Sequence, residues 1–164
     1  LGKTTDALVY ANLADEYAAK WKEKCCADGK PTPLTFDGGD TFSLKYNMAF
    51  DVLMGFGLFD KDLREAEVDA YVARSNEFGA PLDSRAGFTK SDWILWAATL
   101  TDDVEKRKKL IAPVACFLRR SPTRVPFSDW YETVSGRQCT FQNRTVQGGL
   151  FILLLADGKK LNAD

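Results

Sequence analysis

Apolar positions recur along this chain at helical spacing, and two kinds of predicted helix alternate. The first kind is amphipathic. Over 5–27, Val9, Leu13, Tyr17 and Trp21 fall four residues apart; over 62–78, Val68, Tyr71 and Val72 face inward; over 102–120, Val104, Ile111, Val114 and Leu118 form one stripe. The second kind is apolar nearly all round: 43–55 (Leu44, Met48, Phe50, Leu53), 91–100 (Trp93, Ile94, Leu95, Trp96) and 144–156 (Val146, Leu150, Phe151, Leu153). A helix that is apolar on every side must be covered on every side. The second, fourth and sixth segments therefore form an inner layer, and the first, third and fifth an outer one. This pattern predicts an all-α fold, an α/α toroid or solenoid of helical hairpins. The inner segments begin roughly 50 residues apart, a spacing common in such arrays. Local signals add detail: Asp62 with Glu65 reads as a capping box, and Pro113 should kink the fifth helix.

The connections also sort into two kinds. Inner-to-outer links, near 59–61 and 101–102, are tight, whereas outer-to-inner links are long: 28–41, 79–90 and 121–143. In an antiparallel array the three long loops fall on one end. Binding groups concentrate on long loops carried by a rigid scaffold, so this end is the candidate functional face.

Composition narrows the chemistry. The 164 residues, 45% of them hydrophobic, suit a single helical domain over 1–164. A net charge of −1 and the lack of a basic stripe argue against nucleic acid, and Lys106–Lys109 reads as a solvated helix face. The apolar run 148–156 is too short to span a bilayer. There is no histidine, which excludes Ser-His-Asp and Cys-His catalysis and imidazole metal sites within the chain. No metal is expected. Cys25, Cys26, Cys116 and Cys139 lack metal-ligand spacing. They read as disulfide candidates joining the first helix to the 116–139 region, with the connectivity open. With the glycosylation sequon at Asn143, they point to a secreted protein. With Leu1 first and no signal peptide, a processed product or a piece of a longer protein is expected.

Two long loops concentrate charge and aromatic side chains. One carries Asp83, Arg85, Lys90, Asp92 and Trp93; the other carries Arg124, Asp129, Trp130 and Tyr131 and leads to Arg144. Arginines can clamp a substrate carboxylate, and an aspartate desolvated beside tryptophan can act as an acid or base. Each residue also has a plainer role. Asp92 with Thr89 could cap the fourth helix, Asp83 with Arg85 could brace a loop, Arg124 with Asp129 could hold a loop against Arg144, and Trp93 and Trp96 could be core. Lys90 could be an ordinary solvated lysine, and Gly148 and Gly149 could permit close helix packing.

Five blocks in order, NLADEYAAKWKE, LKYNMAFDVLMGFGLF, PLDSRAGFTKSDWILWAATL, SPTRVPFSDWYET and FQNRTVQGGLFILLL, resemble the glutaminase A family. The resemblance runs from about Asn12 to Leu155. It implies the helical six-hairpin domain of an extracellular amidohydrolase that converts glutamine to glutamate and ammonia, without metal or cofactor. This chain would supply about half of that toroid, and the cysteines lie outside the resembling blocks. On that reading Asp83, Asp92 and Asp129 are the catalytic candidates. Arg85, Lys90, Trp93, Arg124, Trp130, Tyr131 and Arg144 would bind the small-molecule substrate, for which the resemblance suggests L-glutamine. Two alternatives stand beside it. Helical toroids also host glycosidases, and half a toroid leaves apolar surface for self-association, for the missing remainder of a parent protein, or for a non-catalytic binding role.

Overall fold

A computed structural model of the protein describes residues 2–26, 30–123 and 125–161. Among them six α-helices account for nearly all regular structure: α1 (Thr4–Cys25), α2 (Ala49–Met54), α3 (Lys61–Ala73), α4 (Ser91–Ala97), α5 (Val104–Arg120) and α6 (Ile152–Leu161). Short 3-10 turns lead into α2 (Tyr46–Met48), follow α4 (Ala98–Leu100) and lead into α6 (Thr145–Phe151). Two three-residue strands, β1 (Phe88–Lys90) and β2 (Trp130–Glu132), complete the fold. No helix among the described residues is long and apolar enough to cross a membrane.

The two-layer expectation holds around α4. This helix buries Ile94, Leu95 and Ala97 and continues into buried Ala98 and Leu100. It is flanked by the 3-10 and α segments of the second and sixth elements, while α5 and then α3 form the layer behind. Leu44, Met48, Val68, Tyr71, Leu110, Val114 and Ile152 close the same core. Two tight turns are built by single carboxylates. Gly55 ends α2 in the left-handed conformation (φ 67°), which glycine adopts without a Cβ penalty. Buried Asp51 then accepts from the Leu58 and Phe59 amides (2.9 and 3.2 Å), fixing the link to α3. At the start of α5, Asp103 accepts from the Glu105 and Lys106 amides (2.8 and 3.1 Å).

Several local expectations are corrected. The stripe on α1 is not a buried face: Val9 and Tyr17 are exposed, and only Ala18 is buried, with Trp21 edge-on to Phe59. On α5 the buried set is Leu110, Val114 and Phe117, spaced i, i+4, i+7, while Val104 and Leu118 face outward; the helix runs on through Pro113. Helix α3 begins at Lys61, after Asp60, so Asp62 lies within its first turn and caps nothing. The helix stops at Ala73, because Asn76 and Gly79 close a turn on each other. Helices α2 and α6 are not covered on every side. Phe50, Met54 and Phe56 on one flank, and Phe151, Leu154 and Leu155 on the other, stand exposed. Finally, all four cysteines are free thiols. Cys25 and Cys26 lie at the end of α1 near Lys45 and Glu67, whereas Cys116 packs beside Phe117 and Cys139 turns to the Arg137 carbonyl, so neither expected bridge forms.

Candidate active site

The long loops do meet at one end. Strands β1 and β2, one from each of the two charged loops, pair antiparallel with Thr89 opposite Tyr131 and Lys90 opposite Trp130. The end of the first long loop joins them, since the Leu44 amide donates to the Leu82 carbonyl (2.7 Å) and Ser43 bridges to Asp83. Side chains directly opposite in such a pair share a face, and neighbours along a strand alternate. Lys90 and Trp130 therefore share one face, and Thr89 and Tyr131 share the other, where both are fully buried.

That alternation decides Tyr131. Its ring stacks on Phe117 (3.6 Å between centres), its hydroxyl donates to the Phe78 carbonyl (2.9 Å), and burial pushes its pKa well above the usual phenol range. Tyr131 is a core residue behind the sheet and lies outside the substrate-binding set. Thr89 occupies the same face, and its hydroxyl has no partner among the described residues, so the T-x-x-D cap does not form, and no described side chain caps α4.

On the open face, the Lys90 ammonium donates to Asp129 Oδ2 at 2.9 Å and lies 5.2, 5.6 and 5.3 Å from the ring centres of Trp93, Trp130 and Phe141. Arg144 donates to the same Asp129 oxygen (3.1 Å) and lies over Phe141. Lys90 is thus caged rather than solvated, with its side chain 12% exposed and that of Asp129 wholly buried. Asp92, at the start of α4, is also buried, and neither its Oδ1 nor that of Asp129 has a partner among the described residues. Burial above all, and then the negative charge of Asp129, raise the pKa of Asp92 against the opposing pull of backbone amides and Lys90.

The third acid behaves differently. Asp83 takes a two-pronged ion pair from Arg85 (2.9 and 2.7 Å) and a bond from the Arg85 amide, which together hold its pKa below the usual carboxylate range. A cleft of about 430 Å³ opens here, lined by Asp83, Arg85, Phe88, Lys90, Trp93, Trp130 and Phe141. Of the three acids only Asp83 lines it; Asp129 lies behind Lys90, and Asp92 is buried at the start of α4. A second cleft, of about 570 Å³, adjoins it and shares Leu82, Asp83, Arg85 and Trp93. Tyr46 stacks on Trp93 (4.0 Å, 11°) and lines that second cleft with Trp21, Asn47 and Phe59. Arg124 lies outside the described residues, and Asn143 is exposed in a left-handed turn.

Sequence reasoning missed Tyr46, which reads as part of an apolar helix, and the buried group around Glu67. That carboxylate accepts from the Thr32 amide (2.6 Å) and hydroxyl and from the Tyr71 hydroxyl (2.8 Å). Beside it, Lys45 donates to Ser43 Oγ (2.7 Å) and faces the larger cleft, and burial lowers its pKa. Gly149 is a close-packing glycine, since a Cβ there would meet Trp96 Nε1 at 2.7 Å; Gly148 faces open space. No group of three or more acidic or cysteine side chains converges as metal ligands among the described residues.

Comparison with known proteins agrees with this architecture. The family model of the glutaminase A six helical-hairpin domain matches residues 1–154. Glutaminase A of Aspergillus oryzae is 31% identical over 160 residues, a match covering 94% of this chain and 23% of the relative. A probable glutaminase of Arthroderma benhamiae is 25% identical over 185 residues, covering 94% and 21%. The chain thus spans less than a quarter of the length of either relative. No solved structure matches it significantly.

Proposed function

Because the chain belongs to the glutaminase A six helical-hairpin family, we propose that the Lys90 cleft is the amide-binding part of a glutamine amidohydrolase. The observation that carries this reading is the caged ammonium. Lys90 is fixed by Asp129 and walled by three aromatic rings, yet it opens on a cleft that also holds an arginine–carboxylate pair.

In this reading the substrate carboxamide oxygen lies against Lys90, whose charge stabilises the oxyanion that develops when water attacks the carbonyl carbon. A preorganised donor in a dry site serves that purpose best. The substrate α-carboxylate draws Arg85, whose side chain is 76% exposed, away from its pair with Asp83. Asp83, relieved of its partner, regains proton affinity and takes a proton from the attacking water. That proton passes to the leaving nitrogen, the C–N bond breaks to give ammonia and the γ-carboxylic acid, and the acid's proton goes to the ammonia, so that ammonium and the γ-carboxylate depart. Asp129 holds Lys90, and Asp92 supports that arrangement from behind. The exposed apolar flanks of α2 and α6 support packing against further polypeptide, and we place the working enzyme within such a longer assembly. We assign it outside the cell on the exposed Asn143 sequon.

Ammonia release from L-glutamine tests the reading. Lys90→Met should lower kcat by about 10²–10³, and Asp83→Asn by about 10²–10⁴, with the fold intact by circular dichroism. Full activity in folded Lys90→Met would remove Lys90 from the reaction.

A further inference from the structure

The smaller cleft does not end at the substrate's α-carbon. Leu82, Asp83, Arg85 and Trp93 line it and equally line the larger one, so the two form a continuous groove with the Arg85–Asp83 pair at its waist. Each part alone has the volume of a complete small-molecule site, about 300–1,000 Å³. A single amino acid with its side chain at Lys90 and its carboxylate at Arg85 leaves the larger part unfilled. That part is rich in aromatic side chains. The stacked Tyr46–Trp93 pair forms one wall, the edge-on Trp21–Phe59 pair forms another, and exposed Asn47 stands at the mouth.

We propose that this groove accepts a short peptide ending in glutamine, with a bulky apolar or aromatic residue before it. The charges set the direction. The terminal glutamine side chain enters the Lys90 cleft, and its free carboxylate pairs with Arg85 through two parallel hydrogen bonds. The peptide nitrogen then leads past the waist, which places the preceding side chain between the two aromatic pairs. Lys45, already bonded to Ser43 Oγ and close to the Ser43, Pro33 and Thr32 carbonyls, borders the floor of that part as a committed cation and does not compete for the carboxylate. The inference rests on the amidohydrolase reading above and adds a substrate class to it.

The test compares L-glutamine, glycyl-L-glutamine and L-phenylalanyl-L-glutamine, read both by binding (intrinsic tryptophan fluorescence) and by ammonia release. Phenylalanyl-glutamine should bind on the order of tenfold more tightly than glycyl-glutamine, equivalent to about 1.4 kcal/mol. Trp21→Ala should bring the two dipeptides within about twofold of each other. Since Trp21 also packs on the core, Asn47→Trp provides a second variant at an exposed position. It narrows the mouth of the larger part and should lower the phenylalanyl-glutamine preference in the same way. Equal binding of the two dipeptides, or a preference that survives both substitutions, overturns the peptide inference while glutamine hydrolysis stands. Failure of the folded enzyme, assayed within the longer polypeptide proposed above, to bind or hydrolyse any of the three overturns the amidohydrolase reading itself, and the peptide inference with it.

Discussion

Replacing Asp129 with asparagine probes the cage directly. The carboxylate is wholly buried, and one of its oxygens accepts from both Lys90 and Arg144. An amide of the same shape keeps an acceptor but removes the charge, leaving a nearly buried ammonium without its counterion. Breaking a buried pair in this way costs about 3–5 kcal/mol. Two features reduce that figure. The three rings around Lys90 still attract the ammonium, at about 0.5–2 kcal/mol in such settings, and the partly exposed Arg144 can turn to solvent. The expected net loss is about 2–3 kcal/mol. At about 2–4 °C per kcal/mol for a chain of this size, Tm should fall by about 4–12 °C. Urea unfolding followed by tryptophan fluorescence measures it, because Trp93 and Trp130 flank the cage. A double-mutant cycle with Lys90→Met sharpens the test. With both charges removed, the pair should be less destabilised than the sum of the single changes. A loss below about 0.5 kcal/mol for Asp129→Asn, the range of ordinary surface changes, or strict additivity in the cycle, would refute the view that Lys90 depends on this carboxylate.

Three further expectations follow from the same geometry. Asp92 has a raised pKa in the folded chain, so its contribution to stability is fully present below the unfolded carboxyl value of about 3.9 and declines as pH rises through the folded value. Asp92→Asn should therefore unfold at higher urea than the parent at pH 7, and the gap should close towards pH 4; a gap that does not change with pH would contradict this. Gly149→Ala should destabilise by about 1–3 kcal/mol through overpacking against Trp96 and Asp92. Gly148→Ala, with open space around it, should be neutral or stabilise by up to about 1 kcal/mol, and thermal melts of the two variants check the contrast. Lastly, all four cysteines should react with iodoacetamide without prior reduction, as intact mass would show, whereas unlabelled thiols would mean that bridges exist.

The inner row of the fold was legible because α4 is apolar on every side and has to be enclosed, and loop length alone placed the two charged segments at one end. What could not be read is which way individual side chains point. Trp130 and Tyr131 are adjacent aromatic residues in one loop, and only strand pairing sends the first to the cleft and the second to the core. Lys90 reads equally as a substrate-binding candidate and as a solvated lysine, since nothing nearby in sequence announces that Asp129 lies against it. The stripe on α1 misled for a different reason. Helical spacing shows that an apolar face exists but does not supply the packing partner that buries it, and Val9 and Tyr17 stay exposed. Asp83, Asp92 and Asp129 read as equivalent acids, yet one is paired with an arginine, one is buried with its Oδ1 unpartnered among the described residues, and one is shared by two cations.

The Lys90–Asp129 bond closes a stretch of 39 residues that includes all of α5. Contacts between segments so far apart in the chain form late, after the local helical turns, because the intervening loop must be ordered first. They also rest on two three-residue strands whose back packs on the small Phe78–Phe117–Tyr131 cluster rather than on the main core around α4. On gradual denaturation the cage should therefore come apart before the helices melt, as a separate low-stability unit. Ammonia release and ligand binding would then vanish at urea concentrations where the far-ultraviolet signal of the helices is still intact.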